Sequence, residues 1–181
     1  MATQLWFFII ISLVVLNYLF SNILDYVNHS NWKDEIPNEL KDFYNKKKYK
    51  KAKDYALSKN KIGLFSSSIS FLFIMTLLVF NGYGFIDQLV NSDILKSFFL
   101  FDLNSSFAQS GLFFLILFIL NSIISIPFSY YNTFIIEEKF GFNKTTKSTF
   151  FFFILNFIFL SVFIGVAFLF FSLFFSVIFI D

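Results

Sequence analysis

The sequence predicts an all-α polytopic membrane protein with four transmembrane helices. Three observations carry that class. The chain has 181 residues, 57% of them hydrophobic and only 14% charged, where a soluble domain averages about 25% charged. Its mean hydropathy is +0.71. The apolar residues gather in four long runs, and lysine alternates between the segments that separate them.

Each run is long enough to cross a bilayer, which takes about 20 helical residues. The first is Leu5–Leu24, the second Ile62–Phe80, the third Gly111–Tyr131 and the fourth Phe150–Ile180. None is interrupted by Asp, Glu or Lys, and the chain has no Arg. In hydrocarbon every amide must bond within its own segment, so these runs must be helices. The first run lacks the basic start and small-residue cleavage site of a signal peptide, so it reads as a retained helix. The fourth is longer than the hydrocarbon core requires. It either tilts, protrudes, or breaks into two half-helices near Gly165.

Lysine sets the orientation. Ten lysines fall between Asp25 and Lys61, whereas residues 81–110 hold Lys96 alone against Asp87, Asp93 and Asp102. Residues 132–149 hold Lys139, Lys144 and Lys147. Positive charge stays on the cytoplasmic side. Segments 25–61 and 132–149 are therefore expected in the cytoplasm, with the N-terminus, the second loop and Asp181 outside. The membrane expected is a bacterial inner membrane. The whole chain reads as a single N-terminal membrane domain over residues 1–181.

In the first loop, Pro37 fits a helix start, where its missing N–H costs nothing. Ile36, Leu40, Phe43 and Tyr44, then Ala52, Tyr55 and Ala56, recur at helical spacing. With the basic run Lys46–Tyr55, this predicts an amphipathic cytoplasmic helix. It would rest on anionic lipid headgroups, pack on a partner domain, or both. In the second loop, Asn81–Gly84 marks a turn, and Ile94–Leu103 reads as an interfacial segment too short to span.

The third loop is the densest polar island. Pro127 should kink or end the third helix. Thr133–Phe140 fits one or two helical turns with Gly141 as a left-handed stop. Asn143 or Thr145 would cap the fourth helix. That account leaves Glu137 and Glu138, beside Lys139, without a structural role. They would pair with first-loop lysines or dock a domain that this chain lacks.

Chemistry is scarce. The chain has no Cys and one His, His29. There is no H-E-x-x-H, no G-x-S-x-G, no P-loop and no dinucleotide fingerprint. A net charge of +2 does not call for nucleic acid. The in-span polar residues Asn17, Asn121, Asn156 and Ser66–Ser68 would bond across helices or line a water-filled cavity.

Two segments resemble the CAAX prenyl protease type 1 family of integral-membrane zinc metallopeptidases. The first is Ile36–Leu64, through Pro37, Leu40, Tyr49, Lys51, Ala52, Tyr55, Lys59, Gly63 and Leu64. The second is Pro127–Thr146, through Tyr131, Thr133, Phe134, Glu137, Glu138, Lys139, Phe140, Gly141, Phe142, Asn143, Lys144, Thr145 and Thr146. Where the family usually places an acid and basic residues after the Lys-Thr-Thr step, this chain has Phe153, Ile154, Leu155 and Asn156. The resemblance implies the first four helices of a seven-helix barrel around a water-filled chamber. The family's zinc, held by two His and a Glu, lies in a later catalytic domain expected to be absent from this chain. No zinc ligand is then expected here, and the chain alone should be inactive. Its partners would be the bilayer, that missing domain and, in the complete enzyme, a protein or peptide substrate. The alternative is a stand-alone, non-catalytic membrane scaffold or partner-binding protein.

Overall fold

The structure, a computed structural model, describes residues 2–93, 95 and 106–179. These residues are helical with short connections, and no strand occurs among them. The main elements are α1 (Ala2–Ser30), α2 (Lys46–Val79), α3 (Gly82–Val90), α4 (Ser106–Tyr131) and α5 (Lys147–Phe179). A π-helical turn, Asn132–Glu137, continues directly from α4. Four of these helices are long and apolar enough to cross a membrane. Large apolar side chains lie exposed along all four, as at Phe8, Leu72, Phe114 and Phe163. Such surface needs lipid or further helices around it.

The chain divides into two compact units. One comprises residues 1–80 and 124–143, so it holds α1, α2 and the end of α4. Here α1 packs on α2 through the Tyr18 ring, stacked 4.2 Å from Phe71. The Tyr18 hydroxyl lies 2.7 Å from Ser68 Oγ. One turn on, Ser67 Oγ donates to Asn22 Oδ1 at 3.4 Å. Cross-helix bonding therefore falls to Tyr18, Asn22, Ser67 and Ser68, while Asn17 is exposed. Lower down α2, the Phe65 ring meets Phe128 of α4 edge-on at 5.8 Å.

The other unit comprises residues 81–123 and 144–181. Asn81 opens it in the left-handed region at φ 55, which Asn tolerates better than most residues. The turn expected at Asn81–Gly84 thus leads into α3, a short helix that burial patterning supports. Ile86 and Val90, at i and i+4, are its buried face. The expected interfacial segment Ile94–Leu103 lies almost wholly outside the described residues. Asn121 and Asn156 are exposed on α4 and α5.

Four boundaries differ from the sequence reading. The first-loop helix begins at Lys46, not Pro37, because the Asn45 side chain accepts the Lys48 amide at 2.8 Å and caps it. Pro37 instead precedes a single 3₁₀ turn, Asn38–Leu40. With no Pro between Lys46 and Val79, the basic helix and the second span are one helix of 34 residues, about 51 Å long. The third helix passes through Pro127 rather than ending there, and the span extends to Glu137. The fourth run is one continuous helix from Lys147, unbroken at Gly165. It is capped by Thr146, whose Oγ1 accepts the Thr149 amide at 3.1 Å, while the Asn143 side-chain amide donates to Glu138.

The Tyr18–Ser68 pair is testable. A double-mutant cycle of Tyr18→Phe and Ser68→Ala, read by reversible unfolding in detergent, should give a coupling of about 0.6–1.7 kcal/mol. Additive single-mutant effects would remove the pair from the account of α1–α2 packing.

Candidate functional site

The unit of α1, α2 and the α4 end brings the two family-like segments together. They meet because both helices overrun their apolar spans on the same side. α2 runs from its basic start into the apolar stretch, and α4 runs out to the π turn in the opposite sense. Pairings Lys51–Phe142, Tyr55–Phe140, Lys59–Glu137 and Phe65–Phe128 descend one chain as they climb the other.

Three residues of α2 at i, i+4 and i+8 form the contact stripe. Lys51, Tyr55 and Lys59 share one helix face. Lys51 Nζ sits 4.9 Å from the Phe142 ring centre. The Tyr55 ring lies 5.5 Å from Phe140, edge-on, and 4.8 Å from Phe142. Lys59 Nζ reaches Glu137 Oε1 at 3.4 Å. The same oxygen accepts from the Tyr55 hydroxyl at 3.5 Å and from Asn132 Nδ2 at 3.4 Å. Glu137 is thus a hub: one half-buried carboxylate gathers an ammonium, a phenol and an amide from two helices.

Gly141 lets the motif turn back onto α2. Its φ is +70, and the Phe142 amide donates to Glu137 O at 2.8 Å while the Gly141 amide donates to Glu138 O at 2.9 Å. That pair of bonds is a Schellman ending. It points Phe142 at Tyr55 and buries Phe140 to 8% exposure. Glu138 turns away, accepting from Asn143 Nδ2 at 2.8 Å. The π-helical widening at Asn132–Glu137 sits at this contact, as such bulges often do at functional positions.

A second stripe of α2, Tyr49 and Lys53, binds the connection that precedes it. Tyr49 is 6% exposed. Its hydroxyl donates to Lys33 O at 3.3 Å, and its ring lies 5.6 Å from Trp32. Lys53 Nζ meets Asp34 Oδ1 at 2.7 Å. Hydrogen bonding and then charge from Lys53 hold the exposed Asp34 carboxyl below its ordinary range.

The structure therefore assigns most of the singled-out residues. Tyr55, Glu137, Phe140, Gly141 and Phe142 converge. Tyr49 stabilises the first connection, and Asn143 holds Glu138. Lys139 lies over the Phe140 ring at 5.5 Å. Tyr131 is half exposed beside the α2–α4 groove, Pro127 lies inside α4, and Lys144 is exposed. Of the two roles open to the glutamates, Glu137 takes the lysine pairing. Asn132 escaped the sequence reading, since nothing in a single asparagine signals that it bonds a hub five residues on. Lys59 carried a signal, its i+4 spacing from Tyr55.

Zinc does not fit these residues. Among the described residues no three His, Cys, Asp or Glu side chains cluster to hold a metal. The Nδ1 of His29 is buried without a hydrogen-bond partner, but His29 belongs to no such cluster.

Comparison with known proteins follows this geometry. The family model described as CAAX prenyl protease N-terminal, five membrane helices, matches residues 25–179. Probable CAAX prenyl protease 1 of Schizosaccharomyces pombe is 30% identical over 122 residues, 65% of this chain and 26% of that protein. A CAAX prenyl protease 1 homolog of Caenorhabditis elegans is 32% identical over 115 residues, covering 64% and 23%. The crystal structure of S. mikatae Ste24p superposes with a TM-score of 0.78 at 25% identity, covering 91% of this chain and 38% of that one. The chain spans about a quarter of the length of these curated relatives.

Three outcomes check the junction. Glu137→Ala should cost about 1–2 kcal/mol of stability in detergent, and Glu138→Ala about half that, since Glu138 bonds only locally. Gly141→Ala, strained at positive φ, should cost about 1–2 kcal/mol. An NMR titration should show Asp34 protonating below the ordinary value of about 3.9, with Lys53→Gln restoring it. The Lys53–Asp34 contribution is therefore present above that pH and lost as pH falls through the lowered value.

Proposed function

The chain belongs to the CAAX prenyl protease N-terminal family, and we propose that it is the N-terminal transmembrane module of a membrane zinc metalloendopeptidase. In this reading it forms one membrane domain whose spans are chamber wall. The lysine-rich ends, residues 25–61 and 132–149, face the cytoplasm and dock the catalytic domain. That domain supplies the zinc and acts on a protein or peptide substrate. The relatives named above are eukaryotic, so they lend no support to a bacterial inner membrane, and the topology proposal concerns the lysine-rich side alone.

The observation that carries the reading is the Glu137 junction. Both family-like segments meet there, and the hub joins Lys59, Tyr55 and Asn132 of the chain to one another. Tyr55, Lys59 and Glu137 therefore act as the clamp that shapes the docking surface, and the exposed Glu138 and Lys144 are left to face the partner. Chamber-wall roles for α1, α2, α4 and α5 are supported by their exposed apolar faces and by the superposition on S. mikatae Ste24p.

The test is reconstitution. The chain should co-purify with a separately expressed H-E-x-x-H-containing portion of a family member and restore its peptidase activity on a CAAX-type substrate. Metal analysis should find one zinc per complex and less than a tenth of that on the chain alone. Failure to co-purify, with both parts folded, would favour the stand-alone scaffold. DNA following the Asp181 codon gives an independent check through an in-frame H-E-x-x-H.

A further inference from the structure

We propose that the groove between α2 and the end of α4 binds one anionic phospholipid from the leaflet on the lysine-rich side. The inference does not depend on the protease reading.

The groove holds about 330 Å³ and lies within a single compact unit. Its floor is apolar, with Ile62 and Phe65 from α2 and Ile135 from the π turn. Its cations are Lys61 and Lys139. The antiparallel course of the two helices fixes their place. Lys61 precedes Phe65 by four residues on a helix entering the membrane. Lys139 follows Ile135 by four residues on a helix leaving it. Both lysines are thus rooted about 6 Å outward of their apolar neighbours along the helix axis, roughly one turn. The half-exposed Tyr131 ring completes the boundary, where aromatic rings favour the headgroup region.

The charge at this boundary is uncompensated. Glu137 is ion-paired with Lys59, and neither Glu137 nor Glu138, which turns to Asn143, lines the groove. Among the described residues neither Lys61 nor Lys139 has a carboxylate in ion-pair reach. The Phe140 ring beneath Lys139 orients that cation without neutralising it. Ser58 also borders the groove, but its hydroxyl donates to Asp54 O at 2.7 Å, so the lysines are the anion donors. Two free cations above an apolar trough match a lipid phosphate above its acyl chains. The larger cavity at the start of α2 lacks this match, since Asp34, Glu35 and Asp54 line it along with its lysines.

Native mass spectrometry of the purified chain in neutral detergent tests the site. The probes are phosphatidylglycerol and phosphatidylcholine of matched acyl chains. Phosphatidylglycerol should be retained at one per chain, in preference to phosphatidylcholine. Lys61→Gln with Lys139→Gln should weaken it about 30-fold. Lys47→Gln with Lys48→Gln, at the basic start of α2 and outside the groove lining, should change it less than about 3-fold. Millimolar inorganic phosphate should not displace the lipid, because the acyl chains contribute. Equal binding of the two lipids, equal losses in the two double variants, or displacement by phosphate would each overturn the proposal. Should the groove double variant misfold, the single variants decide, each expected to weaken binding about 5-fold.

Discussion

A backbone amide in hydrocarbon has no partner outside its own helix, and the rest of this structure follows from that constraint. It forces each apolar run into unbroken helix, and helix is cheap to extend once started. α2 therefore begins 16 residues before its apolar stretch, at the Asn45 cap, and α4 continues past Tyr131 through the π turn. Both overruns emerge on the same side as neighbours. Their polar ends must then satisfy one another, and Glu137 is where they do so.

The junction divides labour among similar residues. Lys51 and Lys59 serve the Glu137 and Phe142 contacts, and Lys53 serves Asp34. Lys61 and Lys139 are left without acids. The lysines of α2 thus divide among three surfaces of that helix, with Lys139 joining Lys61 from the end of α4. Which surface a lysine joins follows from the 100° that separates successive residues. The π turn contributes as well, since an extra residue per turn shifts the face on which Glu137 sits relative to α4.

Family membership and local chemistry point in compatible directions without being the same claim. The likeness to CAAX prenyl proteases spans most of this chain and a minority of its relatives. The residues present bond one another, pack rings and face lipid. Among the described residues no three His, Cys, Asp or Glu side chains cluster.

The sequence by itself determined the class, the four spans and the side on which positive charge collects. Hydrocarbon length and charge transfer are local properties that a run of residues expresses alone. It also located the Gly141 stop, because a left-handed turn selects its own residue. Tertiary structure decided the rest. Pro127 reads as a kink or an end of the third helix, and helix continues through it. The first helical residue of α2 moved from Pro37 to Lys46, where a side-chain cap won. Glu137 was legible as unexplained but not as a hub, because Tyr55 and Lys59 lie about 80 residues away in sequence. Only the antiparallel meeting of two overlong helices brings those charges within reach.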